Sequence, residues 1–294
     1  MVLVTGATGL NGVAVIRELA RHNVPVRALY RDWAKTRDLK LLQHVDLAEG
    51  DMLQPGSLEV ALQGVERVLM ISSANPQMVD TQCTFIDAAK KAGVSHIVKF
   101  SGAESGVGFN AKHFRYTRMH QEIEQYLETS GMAWTHLRPG QFMQVYLRET
   151  PTIVSKGAIF LALDKVRLSP VDVEDVAKVA AGLLTSNGHE GKSYNMTGPE
   201  ALTMTEITER ISQAIGRPIR YVNITPAERR QALLNAGMPT EFVDALDEQG
   251  SERRSHPESR VDLTTHAAFG VRPTTFLEFA HRHAATFLGE PVLA

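Results

Sequence analysis

The stretch "VTGATGLNG", Val4 to Gly12, places Gly6, Gly9 and Gly12 three residues apart, between an apolar run and the amphipathic "VAVIRELARH". A strand that ends in Thr5, turns through Gly6 and Gly9 and enters a helix beside Gly12 leaves helix N-terminal amides open at its tip. Each glycine has a physical task. Gly6 can take a positive-φ turn, Gly9 keeps a Cβ out of a ligand's path, and Gly12 lets the helix pack close to the strand. The arrangement suits a pyrophosphate; a glycine-rich turn that only packs is the alternative.

The next segments repeat this grammar. Short runs rich in Val, Ile and Leu alternate with helical patterns: "VLVT" (Val2–Thr5), "PVRALY" (Pro25–Tyr30), "HVDLA" (His44–Ala48), "RVLMIS" (Arg67–Ser72), "HIVKFS" (His96–Ser101) and "WTHLR" (Trp134–Arg138). Helices are expected from near Leu10, Trp33, Ser57, Met78 and Lys112. Apolar residues on both faces of such strands indicate a buried parallel sheet with right-handed crossovers. The expected fold is α/β: a doubly wound parallel sheet of Rossmann type, with a smaller, interleaved C-terminal α/β lobe. Residues 1–150 form the dinucleotide-binding domain, 166–190 return to it, and 151–294 mainly build the lobe. An Asp172 N-cap begins the returning helix. Polar "DEQGSERRSHPESR", Asp247 to Arg260, reads as a mobile loop or linker for want of apolar anchors. "GVGFN", Gly106 to Asn110, reads as a lid.

Composition narrows the function. With 33 acidic and 31 basic residues mixed along the chain, there is no electrostatic footprint for nucleic acid or a membrane surface. The single Cys83 excludes an internal disulfide and suits a reducing compartment, and no leader or membrane span is recognisable, so the cytoplasm is expected. Scattered histidines without ligand spacing predict no metal, and Ser101 in "KFSGAES" sits in no hydrolase elbow.

Where a carboxylate would hold an NAD ribose 2′-hydroxyl, the second strand ends in Tyr30 followed by Arg31. A guanidinium there can fork onto a 2′-phosphate, favouring NADPH over NADH. Lys35 and Arg27 can add charge, although Arg27 also fits a solvated strand edge. An Arg31 to Asp32 surface pair is the competing account, and Asp32 keeps NADH as the weaker alternative.

Taken together, "TGATGLNG", "VRALYRD", "GDM", "LMISS", "AAKKAGVSHIVKFSG" and "HLRPGQFMQ" resemble the NmrA-like, atypical short-chain dehydrogenase/reductase family, and within it the bacterial NADPH-dependent quinone reductase and triphenylmethane reductase branch. The likeness continues through "EGKSYNMTGPEALTMTEITERISQAIGRPIRYVNIT". It implies that Gly6, Thr8, Gly9, Leu10, Asn11 and Gly12 line the pyrophosphate, Arg31 the 2′-phosphate, Asp51 and Met52 the adenine, and Ser72 and Ser73 the ribose and nicotinamide side. Ser72 and Ser73 can equally serve as a helix cap or turn. Lys35, Ser101 and Pro139 are counted with the cofactor positions.

Other short-chain reductases use a Tyr-x-x-x-Lys pair. Here Tyr116 is followed by His120, on one helical face but with a shorter, only partly charged partner. His120 and Tyr116 are the catalytic candidates, with packing the competing explanation for both. Quinones and conjugated dye cations do not require a strong enzyme acid, so the missing lysine is tolerable. Phe142, Met143 and Tyr146, with Pro139, can stack a flat acceptor; an apolar helix core explains Phe142 and Tyr146 equally well. The expected activity is direct hydride transfer from NADPH to a quinone-like or other conjugated acceptor, without flavin or metal. The rival is an NAD(P)-binding redox sensor; sugar-nucleotide epimerisation would want the intact Tyr and Lys pair. A homodimer, or a protein partner for the sensor, is compatible with either.

Overall fold

The computed structural model describes residues 1–102 and 109–290. Strands β1 (Val2–Val4), β2 (Val26–Tyr30), β3 (Val45–Glu49), β4 (Arg67–Met70), β5 (His96–Phe100), β6 (Ala133–Pro139), β7 (Ala158–Leu161), β8 (Lys192–Met196) and β9 (Arg220–Asn223) form two sheets. The larger has the order β3-β2-β1-β4-β5-β6-β8, parallel throughout, and the smaller pairs β7 with β9. The chain runs outward from β1 to β2 and β3, then crosses back to β4 and builds the other way. The crevice between β1 and β4 is therefore the topological switch point, where an open α/β sheet receives its ligands.

Alternation within the strands explains why helices cover both faces. In β1, Val2 and Val4 join a cluster with Val15, Ile16 and Leu19 of α1 (Leu10–Arg21), whereas Leu3 points into a cluster with Leu58 of α2 (Pro55–Leu58), Phe85 of α3 (Met78–Lys91) and Ile123 of α4 (Arg115–Thr129). A third cluster, around Tyr146, Ile207 and Phe276, is the core of the smaller lobe. It joins α5 (Thr150–Lys156) and α7 (Met204–Ile215), between which α6 (Val173–Thr185) packs back on the first cluster. Asp172 caps α6 by accepting from the Glu174 amide at 3.1 Å.

Several expectations are corrected. "KSYNM", placed in the lobe by its sequence position, is β8 and extends the large sheet beside β6, so the chain stays with that sheet to Met196 rather than residue 190. The helix expected from Trp33 is a single 3-10 turn, Trp33–Thr36, and the one expected near Lys112 starts at Arg115. Of the "GVGFN" lid, Gly106 to Gly108 lie outside the described residues.

The polar stretch read as a mobile loop is the largest correction. Asp247 to Ser255 are helical, the second half of α9 (Thr240–Ser255), which follows α8 (Pro226–Asn235). Its anchors are ionic. Glu248 accepts from the Arg115 guanidinium at 2.6 and 2.9 Å and from its amide at 3.0 Å. Glu252, 2% exposed, accepts from the Asn110 amide and pairs with His113, each at 2.9 Å. Carboxylates thus seal α9 onto the N-terminal end of α4, where a helix favours negative charge.

Replacing Glu252 by Ala is expected to speed amide exchange across Thr240–Ser255 while leaving β1 and β4 protected, measurable by hydrogen-deuterium exchange; unchanged exchange in α9 would refute the ionic anchoring.

Candidate active site

The hydroxyl of Thr5, just past β1, donates to the Ile71 carbonyl at 2.7 Å and accepts from the Ile71 amide at 2.8 Å. This brackets the ends of the two strands that define the switch point. Gly6 then turns at φ 58°, where a Cβ would lie 3.0 Å from the Ile71 carbonyl oxygen. A Cβ on Gly12 would meet the Gly6 oxygen at 2.3 Å, so α1 approaches the turn as closely as backbone allows. Gly9 caps α1 without a side-chain hydrogen bond, and no acidic residue stands in the first turn. The first amides of α1 therefore lack side-chain acceptors, and an anion's oxygens fit them. Asn11 Oδ1 beside them is buried without a hydrogen-bond partner, a polar atom to which a ligand can donate.

At the adenine end, Arg31 is 69% exposed and lies 3.9 Å from Asp51, not paired with Asp32. Asp32 instead caps the 3-10 turn at the Ala34 amide, with Lys35 at 3.7 Å. Arg27 is committed to Asp46 and to the carbonyls of Ala61 and Gln63, so its role is structural. Asp51 also accepts from the Leu53 amide at 2.9 Å, while the Met52 side chain is buried in the sheet core and is not free to flank a ring.

Beyond the cradle lies a cavity of about 450 Å³ over the carboxyl ends of β4, β5 and β6. Asn11, Ser72, Ser101, Tyr116, His120, Pro139, Phe142 and Tyr146 all line it, so the sheet gathers residues that are far apart in sequence. Ser72 accepts from Gln82 at 2.8 Å, whereas Ser73 is exposed outside the cavity. Phe142 packs against Phe100 at 6.2 Å between ring centroids. Tyr146 stands at the wall edge-on to Phe276, its hydroxyl accepting from Gln141 at 2.9 Å, and burial pushes its pKa up. Met143 is corrected: it belongs to the lobe core and is not among the residues that line the cavity. Leu233 of α8 and Leu246 of α9 also line it, joined by Asp247, Gln249, Gly250, Arg253 and Arg254 of the polar stretch.

The residues sequence reasoning missed stand behind His120. Lys99, next to the last residue of β5 and wholly buried, places Nζ 3.0 Å from His120 Nδ1. One turn along α4, Glu124 accepts from Arg138 at 3.0 and 2.6 Å and from the Ser101 hydroxyl at 2.5 Å. The signal was in "HIVKFS", a single lysine inside an apolar run, which burial makes costly and thus purposeful. Burial pushes Lys99 down to about 7, with Glu124 opposing and Arg138 assisting. Burial, then Lys99 and Arg138, hold His120 well below the usual imidazole value, so it is neutral at physiological pH. Burial works against the Glu124 carboxylate, but its bonds to Arg138 and Ser101 keep its pKa below the ordinary value. Tyr116 also lines the cavity, its hydroxyl donating to the Ala74 carbonyl at 3.1 Å, and burial raises its pKa.

Sheet order and cradle define a class, the doubly wound α/β proteins with a switch-point site for a dinucleotide. Within that class the chain belongs to the NmrA-like family, whose model matches residues 1–280. It is 38% identical over 287 residues to an NAD(P)H azoreductase of Xenophilus azovorans, covering 98% of this chain and 99% of that one. Its fold is similar to an NADPH-dependent quinone oxidoreductase of Escherichia coli, solved with NADPH, at TM-score 0.85 and 29% identity over 96% of this chain and 99% of that one. It is also similar to the triphenylmethane reductase of Citrobacter sp., solved with NADP(H), at TM-score 0.84 and 25% identity over 97% of this chain and 100% of that one.

The lowered lysine fixes a sign for stability. Between about 7 and the ordinary value of 10.5 the unfolded Lys99 binds a proton that the folded one does not, so folding gains stability as pH rises through that window. Denaturant titrations at both ends should show that gain in the native protein and a smaller one in Lys99→Met; an equal gain in both would contradict the buried, depressed ammonium.

Proposed function

We propose that the chain is an NADPH-dependent oxidoreductase that passes hydride directly to a quinone-like or other conjugated acceptor. One observation carries the reading: a largely apolar cavity adjoins the open glycine cradle at the switch point, so a dinucleotide on the cradle would extend its nicotinamide toward the cavity. The names of the relatives, an azoreductase and a quinone oxidoreductase, agree with acceptors that are flat and conjugated. The redox-sensor reading explains the cradle but gives the cavity no task.

Roles follow from the positions. Gly6, Thr8, Gly9, Leu10, Asn11 and Gly12 hold the pyrophosphate through backbone amides, and the Asn11 carbonyl oxygen beside them takes a donor group of the cofactor. Arg31 and Lys35 take the 2′-phosphate: both are exposed, and their nearest carboxylates, at 3.9 and 3.7 Å, are too loosely placed to compete with a phosphate in contact. Asp51 meets the adenosine, and Ser72, Ser101 and Pro139 border the nicotinamide. When bound, the reduced nicotinamide supplies a hydride. Phe142 and Tyr146 hold the acceptor's ring flat against it and exclude water, which turns binding into alignment. The Rossmann domain, residues 1–150 with the returning segment, thus carries the cofactor, and the smaller lobe closes over the acceptor through α8 and α9.

Two measurements test this. NADPH oxidation should appear with a small quinone panel, and tight NADPH binding without turnover on any acceptor would return the assignment to a sensor. Arg31→Ala is expected to weaken NADPH binding by about 1.5–3 kcal/mol in calorimetry while scarcely affecting NADH; equal loss for both cofactors would remove the 2′-phosphate contact.

A further inference from the structure

A fully buried lysine ordinarily sits against a carboxylate, because an unpaired charge in the interior is costly. Lys99 does not. The carboxylate nearest in the network, Glu124, is engaged by Arg138 and Ser101, and the partners of Lys99 Nζ are His120 Nδ1 at 3.0 Å and the Phe100 carbonyl at 3.4 Å. While Lys99 is protonated it has only protons to offer, and Nδ1 is the acceptor. In a neutral imidazole the ring proton is then on Nε2. His120 is held from behind at Nδ1 and lines the acceptor cavity, which leaves Nε2–H as its working edge.

We propose that Lys99 and His120 form a proton relay into the acceptor cavity, His120 Nε2 giving up the proton that follows hydride transfer and Lys99 setting the tautomer and refilling the ring. The inference rests on the reductase reading above. Hydride brings two electrons to the acceptor and leaves an anionic heteroatom. The Nε2–H bond breaks and its proton joins that atom, while a Lys99 N–H bond breaks and its proton joins Nδ1. His120 stays neutral throughout and Lys99 becomes a neutral amine. After product leaves, a solvent proton enters at Nε2 through the cavity and the Nδ1 proton returns to Lys99, so one solvent proton is consumed per turnover.

The surroundings favour this traffic. Burial brings Lys99 to about 7, where an amine can both give and regain a proton near neutrality. The charged and titratable groups around the pair come from three elements: Glu124 from α4, Arg138 and His136 from β6 and Cys83 from α3. Glu124 and Arg138 are paired with each other, and burial, followed by Glu122, raises the Cys83 thiol to about 11, so it stays protonated. The ammonium that spacing on α4 fails to provide, with His120 four residues after Tyr116, is brought instead by β5.

The test separates tautomer from turnover. Ring-nitrogen NMR on the cofactor-free protein should place the His120 proton on Nε2, and Lys99→Met, which removes the donor and a costly buried charge together, should shift the ring toward the Nδ1–H form. In turnover, a quinone needs the proton, whereas a cationic triarylmethyl dye becomes neutral on accepting hydride and needs none. The ratio of quinone to dye kcat should fall roughly ten-fold or more in Lys99→Met, with the NADPH KM little changed. Lys99→Gln should behave alike. An Nδ1–H ring in the native protein, or an unaltered quinone-to-dye ratio in both variants, would overturn the relay. Failure of the native protein to reduce either acceptor would instead overturn the reductase reading, and the NMR would still report whether Lys99 sets the tautomer.

Discussion

Two hydrogen bonds between Thr5 and Ile71, at 2.7 and 2.8 Å, hold the site's geometry together. They lock the carboxyl ends of β1 and β4 at the point where chain direction across the sheet reverses. Gly6 must turn against Ile71, and Gly12 must pass the Gly6 carbonyl at a distance that excludes a side chain. The open amides of α1 and the entrance of the cavity at Asn11, Ile71 and Ser72 follow from that bracket. Because both bonds are buried, water cannot replace them cheaply.

A second layer of order is polar. Ser101, Glu124 and Arg138 form one network and Lys99 with His120 another, reaching the cavity wall through Ser101 and His120. Around the cavity, oxygens of Asn11, Gln82, Thr117 and Gln141 are buried with no hydrogen-bond partner among the described residues. Unpartnered oxygens cost stability unless a ligand or water answers them, and their gathering at one cavity is what a binding site shows. Rigid donors below and unanswered oxygens around an apolar slot describe a pocket organised before its ligand arrives.

Much of this was legible from sequence, for identifiable reasons. Parallel strands buried on both faces leave long apolar runs, so β1, β2, β4 and β5 were located within a residue or two, and the glycine turn announces itself by spacing. The failures share a cause. The polar stretch at Asp247 lacks apolar anchors and so reads as a loop, yet Glu248 and Glu252 fasten it by charge to Arg115 and His113, which are remote in sequence. The burial of Lys99 depends on sheet order, which alone shows that β5 is internal. Met143 and Tyr146 look alike by helical spacing, and whether each faces cavity or core is decided by the lobe packed on them. Periodicity reports burial; it does not report which buried face a ligand will share.

The central claim is that hydride passes directly from cofactor to acceptor inside this cavity. It is tested most directly with NADPH stereospecifically deuterated at the transferred C4 position and a cationic triarylmethyl dye, which takes hydride on carbon and retains it. The account predicts one deuterium per reduced dye molecule, found by mass spectrometry, from one of the two C4 epimers only. Reduced dye free of deuterium with both epimers would contradict it.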